Sequence, residues 1–140
     1  RRVLSMNNRN FERQEDGDEG LAWLSRDKER VAAYRADPLC GAGLSAGGLA
    51  EMFASQAQST QASNIQRIGK HVPIYLFAGH EDPLNNQGKR LLALQKRYQA
   101  AGLRADLKLY PEGRHEMLNE LNRAEVIDDL LHWLTEVTHD

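Results

Sequence analysis

Cysteine is almost missing from this chain of 140 residues: the single Cys40 excludes an internal disulfide framework and any zinc site built from several thiolates. That usage suits a reducing, cytoplasmic setting. An excess of positive charge is missing too, since 18 Lys and Arg stand against 20 Asp and Glu for a formal charge of −2. No basic field therefore draws the protein to nucleic acid or anionic lipid. Long apolar runs are also lacking. The longest, Val72 to Ala78, is strand-sized and far short of the roughly 18 residues of a membrane span, so stable membrane insertion is not expected. What is present suffices for one modest globular domain: apolar residues make up 41% and are joined by 11 glycines, which disfavours intrinsic disorder. The sequence opens at Arg1 without a methionine or a signal peptide, so its native start is expected further upstream.

The two halves read differently. From Arg1 to about Lys70 the pattern is helical. Ser25 is placed to cap a helix over 26–35, which Asp37-Pro38 ends because the residue before proline avoids the α region. Ser45 is placed to cap a second helix carrying Leu49, Met52 and Phe53 on one face, and a short third helix is expected near Asn64–Ile68. From His71 onward the chain alternates. Val72–Ala78 reads as a buried parallel strand, a polar loop follows, and a helix over about 87–101 places Leu91, Leu94 and Tyr98 on one stripe. Ala105, Leu107 and Leu109 alternate with polar residues in a second strand, and Asn122 with Glu125 forms a capping box for a last helix. The order β-loop-α-β-loop-α predicts an α/β fold with a parallel sheet. Two strands are few for such a sheet, so the chain reads as the C-terminal part of a larger fold.

In open α/β sheets ligands bind beyond the carboxyl ends of the strands. Those positions here carry chemistry. The first strand runs into Gly79-His-Glu-Asp82-Pro and the second into Pro111-Glu-Gly-Arg-His115-Glu. An acid after one strand and a histidine after the next bring the two loops side by side. A carboxylate bonded to imidazole fixes its tautomer and stabilises the imidazolium formed when it takes a proton from a nucleophile.

The runs GHEDPLNNQGK and LKLYPEGRHEMLNE resemble the terminal Asp and His segments of the α/β-hydrolase fold, in particular the lysophospholipase and monoacylglycerol lipase-like serine hydrolases, of the serine aminopeptidase kind. The run WLSRDKERVAAYRADPLCG resembles the cap of the same relatives. The resemblance implies the C-terminal part of an α/β-hydrolase fold: a helical cap (lid) over residues 1–70, then over 71–140 the last two parallel strands with their helices. It implies Asp82 as triad acid and His115 as triad base, with the nucleophilic serine and oxyanion hole upstream of Arg1. The expected substrate is a small lipid-like ester, a lysophospholipid or monoacylglycerol, with Leu39, Leu44, Leu49, Met52 and Phe53 as candidates to line its acyl pocket. No metal or cofactor is required, and the oligomeric state is left open.

Several residues compete for these roles. Gly43-Leu-Ser45-Ala-Gly47 fits G-x-S-x-G letter for letter, but no buried strand precedes it to hold a strained elbow, and a helix cap is the simpler role for Ser45. Glu81 is the alternative acid. His71 and His80 have no ligand spacing around them and read as loop histidines, and Glu116 and Glu120 read as braces for the last helices. Cys40 has no histidine near it in sequence. Arg26, Arg30 and Arg35 read as a solvated cap face, with a lysophospholipid phosphate as their functional alternative. Two other functions remain beside the esterase. The first is a proline-iminopeptidase-like peptidase, for which Glu12, Glu15, Asp16, Asp18 and Glu19 offer an acidic site, and the second a non-catalytic binding domain on a hydrolase scaffold.

Overall fold

The computed structural model describes residues 20–41 and 43–139. After an irregular strap at 20–27 come helices α1 (Lys28–Ala36), α2 (Ala46–Ser59) and the short α3 (Ala62–Ile65). Strand β1 (Ile74–Gly79), helix α4 (Lys89–Ala100), strand β2 (Ala105–Tyr110), a 3-10 turn (Met117–Asn119) and helix α5 (Arg123–His139) complete the order. β1 and β2 pair in parallel from Ile74 opposite Ala105 to Gly79 opposite Tyr110. This is the α/β architecture of the α/β-hydrolase fold, with a helical cap segment leading into paired strands.

The strands form where the apolar pattern places them. Val72 turns back on Gly69 through a backbone bond and Pro73 has no N–H to give, so the ladder starts with Ile74 N donating to Arg104 O, two residues after the expected Val72. α4 lies on β2, where Gln95 and Gln99 both donate to the Ala105 carbonyl. Trp133 of α5 stacks on Tyr75 of β1 with centroids 5.1 Å apart and donates to Asp106 of β2, fastening the last helix to both strands. Apolar burial gathers in two clusters. Tyr110, Met117 and Val126, with Phe77 against them, fill the space between sheet and α5; Ala22, Trp23 and Leu24, with Leu21 and Tyr34, fill the space under the strap.

Three local expectations are corrected. Ser25 does not cap α1: its hydroxyl donates to Asn119 O and accepts from Asp27 N, so Asp27 takes the cap and accepts from Glu29 N and Arg30 N. The third helix starts at Ala62 and gives way after Ile65 to i→i+3 turns, before Gly69 is reached. At α5, Asn122 and Glu125 bond through their side chains, Nδ2 to Oε2, while Asn122 Oδ1 accepts from Arg26. The break at Asp37-Pro38 stands as expected, with Asp37 in the extended region at ψ 117°.

Candidate active site

The end of β1 and the loop after β2 are built as one piece. His80 N donates to Tyr110 O and Glu81 N to Gly113 O, so the two loops continue the pairing of the strands beyond their ends. The approach is close enough to demand glycine: a Cβ on Gly79 would collide with the backbone carbonyls of Gly113 and Arg114. Asn85, 5% exposed, locks the first loop by donating to Gly79 O and accepting from Gly88 N. The loop then passes through three residues with positive φ, Asn86, Gln87 and Gly88, into α4. At Gly88 the left-handed turn favours glycine, and a Cβ there would have to displace the end of the Leu109 side chain beneath it.

Within this frame Asp82 is 8% exposed. Its Oδ1 accepts from Leu84 N at 2.9 Å, which fixes the carboxylate plane, and its Oδ2 faces His115 Nδ1 at 3.0 Å. His115 hangs from the loop after β2, its own N–H donating to the Trp23 carbonyl. Its side chain retains 36% exposure, and Nε2 is the nitrogen left to face a reacting group. The hydrogen bond to Asp82 raises the imidazole pKa above the ordinary histidine value, burial opposes it, and the charges of Asp82 and Glu116 add to the rise. A histidine bonded through Nδ1 to a carboxylate can accept a proton at Nε2, be stabilised as imidazolium, and return the proton.

The other candidates stand apart from this pair. Glu81 Oε1 meets His80 Nδ1 at 3.0 Å, so the alternative acid is engaged with a different histidine. Ser45 caps α2 by accepting from Gly48 N at 3.0 Å, with φ −63° and ψ 161°. That is relaxed extended backbone, and none of the described residues from 37 to 44 forms a strand before it, so the elbow context is missing. The Cys40 thiol pKa is raised, first by desolvation and then by Asp37, which disfavours the nucleophilic thiolate. Among the described residues no three His, Cys, Asp or Glu side chains gather as a metal cluster. On the cap segment Leu39, Leu44, Met52 and Phe53 are exposed, at 88%, 58%, 45% and 56%, while Leu49 is half-buried. The acidic group at 12–19 lies outside the described residues.

Sequence reasoning read Glu120 only as a brace for the last helices and Arg26 as a solvated face, and gave Trp23 no role at the histidine loop. Glu120 is fully buried and accepts from Arg26 N, Arg26 Nε, Arg114 N and Leu121 N. Arg26 is therefore no solvated face. Its guanidinium spans Glu120, Glu112 and Asn122, drawn inward by a carboxylate that would otherwise be buried alone. Trp23 packs its indole on the His115 ring with centroids 4.8 Å apart, tilted by 41°. Both residues lie within the quoted runs, Trp23 at the start of WLSRDKERVAAYRADPLCG and Glu120 at the end of LKLYPEGRHEMLNE, but neither has a periodicity that would tie it to His115.

Similarity to known proteins extends over most of the chain. The family model described as serine aminopeptidase, S33, matches residues 3–122. A monoacylglycerol lipase of Mycolicibacterium smegmatis is 33% identical over 112 residues, covering 79% of this chain and 38% of that protein. Among solved structures, a highly thermostable carboxyl esterase from Bacillus coagulans, in complex with glycerol, superposes with a TM-score of 0.80 at 22% identity, covering 96% of this chain and 44% of its own. A lipase in its open form superposes at 0.78 with 29% identity, covering 99% of this chain and 46% of its own. The chain thus spans less than half the length of these relatives.

Proposed function

The chain belongs to the serine aminopeptidase S33 family, and from that premise we propose that it carries the acid and base of a serine-type carboxylic ester hydrolase acting on small lipid-like esters. One observation carries the reading: the 3.0 Å contact of Asp82 Oδ2 with His115 Nδ1 at the carboxyl ends of adjacent parallel strands. The nucleophile is a serine from a part of the protein outside these 140 residues. His115 Nε2 takes the proton from its hydroxyl as the oxygen attacks the ester carbonyl, and the tetrahedral intermediate collapses to an acyl-enzyme as the same proton passes to the departing alcohol. Water, deprotonated by His115 in its turn, then releases the carboxylic acid and restores the serine. Asp82 keeps Nδ1–H oriented and stabilises each imidazolium. No step requires a metal or cofactor.

The 33% identical relative is a monoacylglycerol lipase, which supports a monoacylglycerol as substrate, with a lysophospholipid as the related alternative. The exposed apolar side chains of the cap segment, Leu39, Leu44, Met52 and Phe53, together with Leu49, supply the chemistry an acyl chain needs. The domain division follows the same reading, with residues 1–70 as cap and 71–140 as core. The test is turnover by the full-length protein on monoacylglycerol, lysophosphatidylcholine and short p-nitrophenyl esters, beside proline p-nitroanilide. Ester hydrolysis that is lost in His115→Ala is expected, and turnover of the anilide alone would overturn the ester reading in favour of a peptidase.

A further inference from the structure

We propose that Trp23 is a positioning residue for His115, its indole fixing the imidazole plane and stabilising the protonated ring, and that the strap at 20–27 is the splint that holds it there. This rests on the assignment of His115 as the base.

The bond to Cβ and the hydrogen bond to Asp82 hold one edge of the imidazole and leave the ring its tilt about that edge. The indole removes this freedom. Trp23 is 7% exposed, set within Ala22, Leu24, Leu21 and Tyr34, with its ring centroid 4.8 Å from that of His115. Its own position is determined from both sides. The Trp23 and Leu24 carbonyls accept from the backbone N–H groups of His115 and Glu116, a short ladder between strap and histidine loop. Arg114 Nη1 donates to the Ala22 and Ser25 carbonyls, and Ser25 Oγ donates to Asn119 O. Beyond Ser25, Glu120 Oε1 accepts from both Arg26 N and Arg114 N, joining the strap to the residue just before the histidine. Strap, indole and histidine loop are therefore fastened to one another.

Chemistry adds a reason for an aromatic ring. During turnover His115 gains a positive charge, and a cation within roughly 6 Å of an indole centroid is drawn to the ring face. The charged groups around the imidazole are Asp82 from the loop after β1 and Glu116 from its own loop, with the Arg114 guanidinium turned to the strap carbonyls. The indole favours imidazolium without adding another charge for the base to titrate against.

The experiment compares full-length wild type, Trp23→Leu and Trp23→Phe, following kcat, KM, the acid limb of the pH profile and the NMR titration of the His115 ring. Trp23→Leu is expected to lower kcat about two- to fivefold, leave KM within about twofold, and move the His115 titration down by about half a pH unit. Trp23→Phe, with a weaker ring quadrupole, is expected to fall between the two. A folded Trp23→Leu with wild-type kcat and titration would overturn the proposal. Should Trp23→Leu not fold, Trp23→Phe decides alone, and a His115 titration identical to wild type would overturn it. His115→Ala separates the levels: turnover surviving in that variant contradicts the role of His115 itself, whereas an inactive His115→Ala beside an unaltered Trp23→Leu contradicts only the role of the indole.

Discussion

Asp82 Oδ2 and His115 Nδ1 meet at 3.0 Å although 33 residues separate them in the chain, because both follow the last residue of a strand in one parallel pair. Asp82 is 8% exposed and its other carboxylate oxygen is held by a backbone N–H, so the imidazole meets a partner whose orientation is already set. The geometry ties activity to pH with a definite sign.

The hydrogen bond from Asp82 raises the His115 pKa, and the imidazole must be neutral to accept a proton. Turnover is therefore expected to rise with pH through a midpoint above the ordinary histidine value of about 6.5. Stability runs the other way. The contribution of the raised pKa is present in full below the unfolded-state value and is lost as pH rises through the folded one. In Asp82→Asn the acid limb is expected to move to lower pH and maximal turnover to fall by about four orders of magnitude. A pH–rate profile of both proteins checks this, and a limb displaced upward in the variant would contradict it.

Glu120 is fully buried against Arg26 and the Arg114 backbone, and removing it takes the acceptor from Arg26 N, Arg26 Nε and Arg114 N at once. Glu120→Ala is expected to cost about 3–5 kcal/mol in urea unfolding, against the smaller loss expected for an exposed carboxylate such as Glu136. Equal losses for the two would contradict the splint.

Gly79 and Gly113 touch backbone to backbone where the two loops meet. Gly79→Ala is expected to destabilise by about 3 kcal/mol, the upper end of overpacking costs, and to impair turnover in whatever folds, because the loop it displaces carries His115. Thermal unfolding and residual activity measured together check the coupling.

The strands and the pair at their ends were legible in the sequence because each signal is local: an apolar run, then a polar loop with one chemically distinctive residue. Ser45 was legible as a cap for the same reason, and Asp37-Pro38 as a helix stop. The mounting of the histidine was not legible. Trp23 and His115, or Arg26 and Glu120, lie more than 90 residues apart, and their meeting depends on a strap with no periodicity. Ser25 looked like a cap because Ser before a helix usually is one, but its hydroxyl is drawn to Asn119 O in the histidine loop, and Asp27 takes its place. Local propensity gave way to a tertiary hydrogen bond.

Ser45 and His115 separate the account from its rival most directly. In the full-length protein an active-site fluorophosphonate probe should label wild type and Ser45→Ala alike, with Ser45→Ala losing only about 0.5–2 kcal/mol of stability as a helix cap. His115→Ala should lose labelling and turnover by several orders of magnitude while remaining folded. Labelling abolished in a folded Ser45→Ala, or turnover retained in His115→Ala, would contradict the assignment of His115 as the base of a serine lying outside these 140 residues.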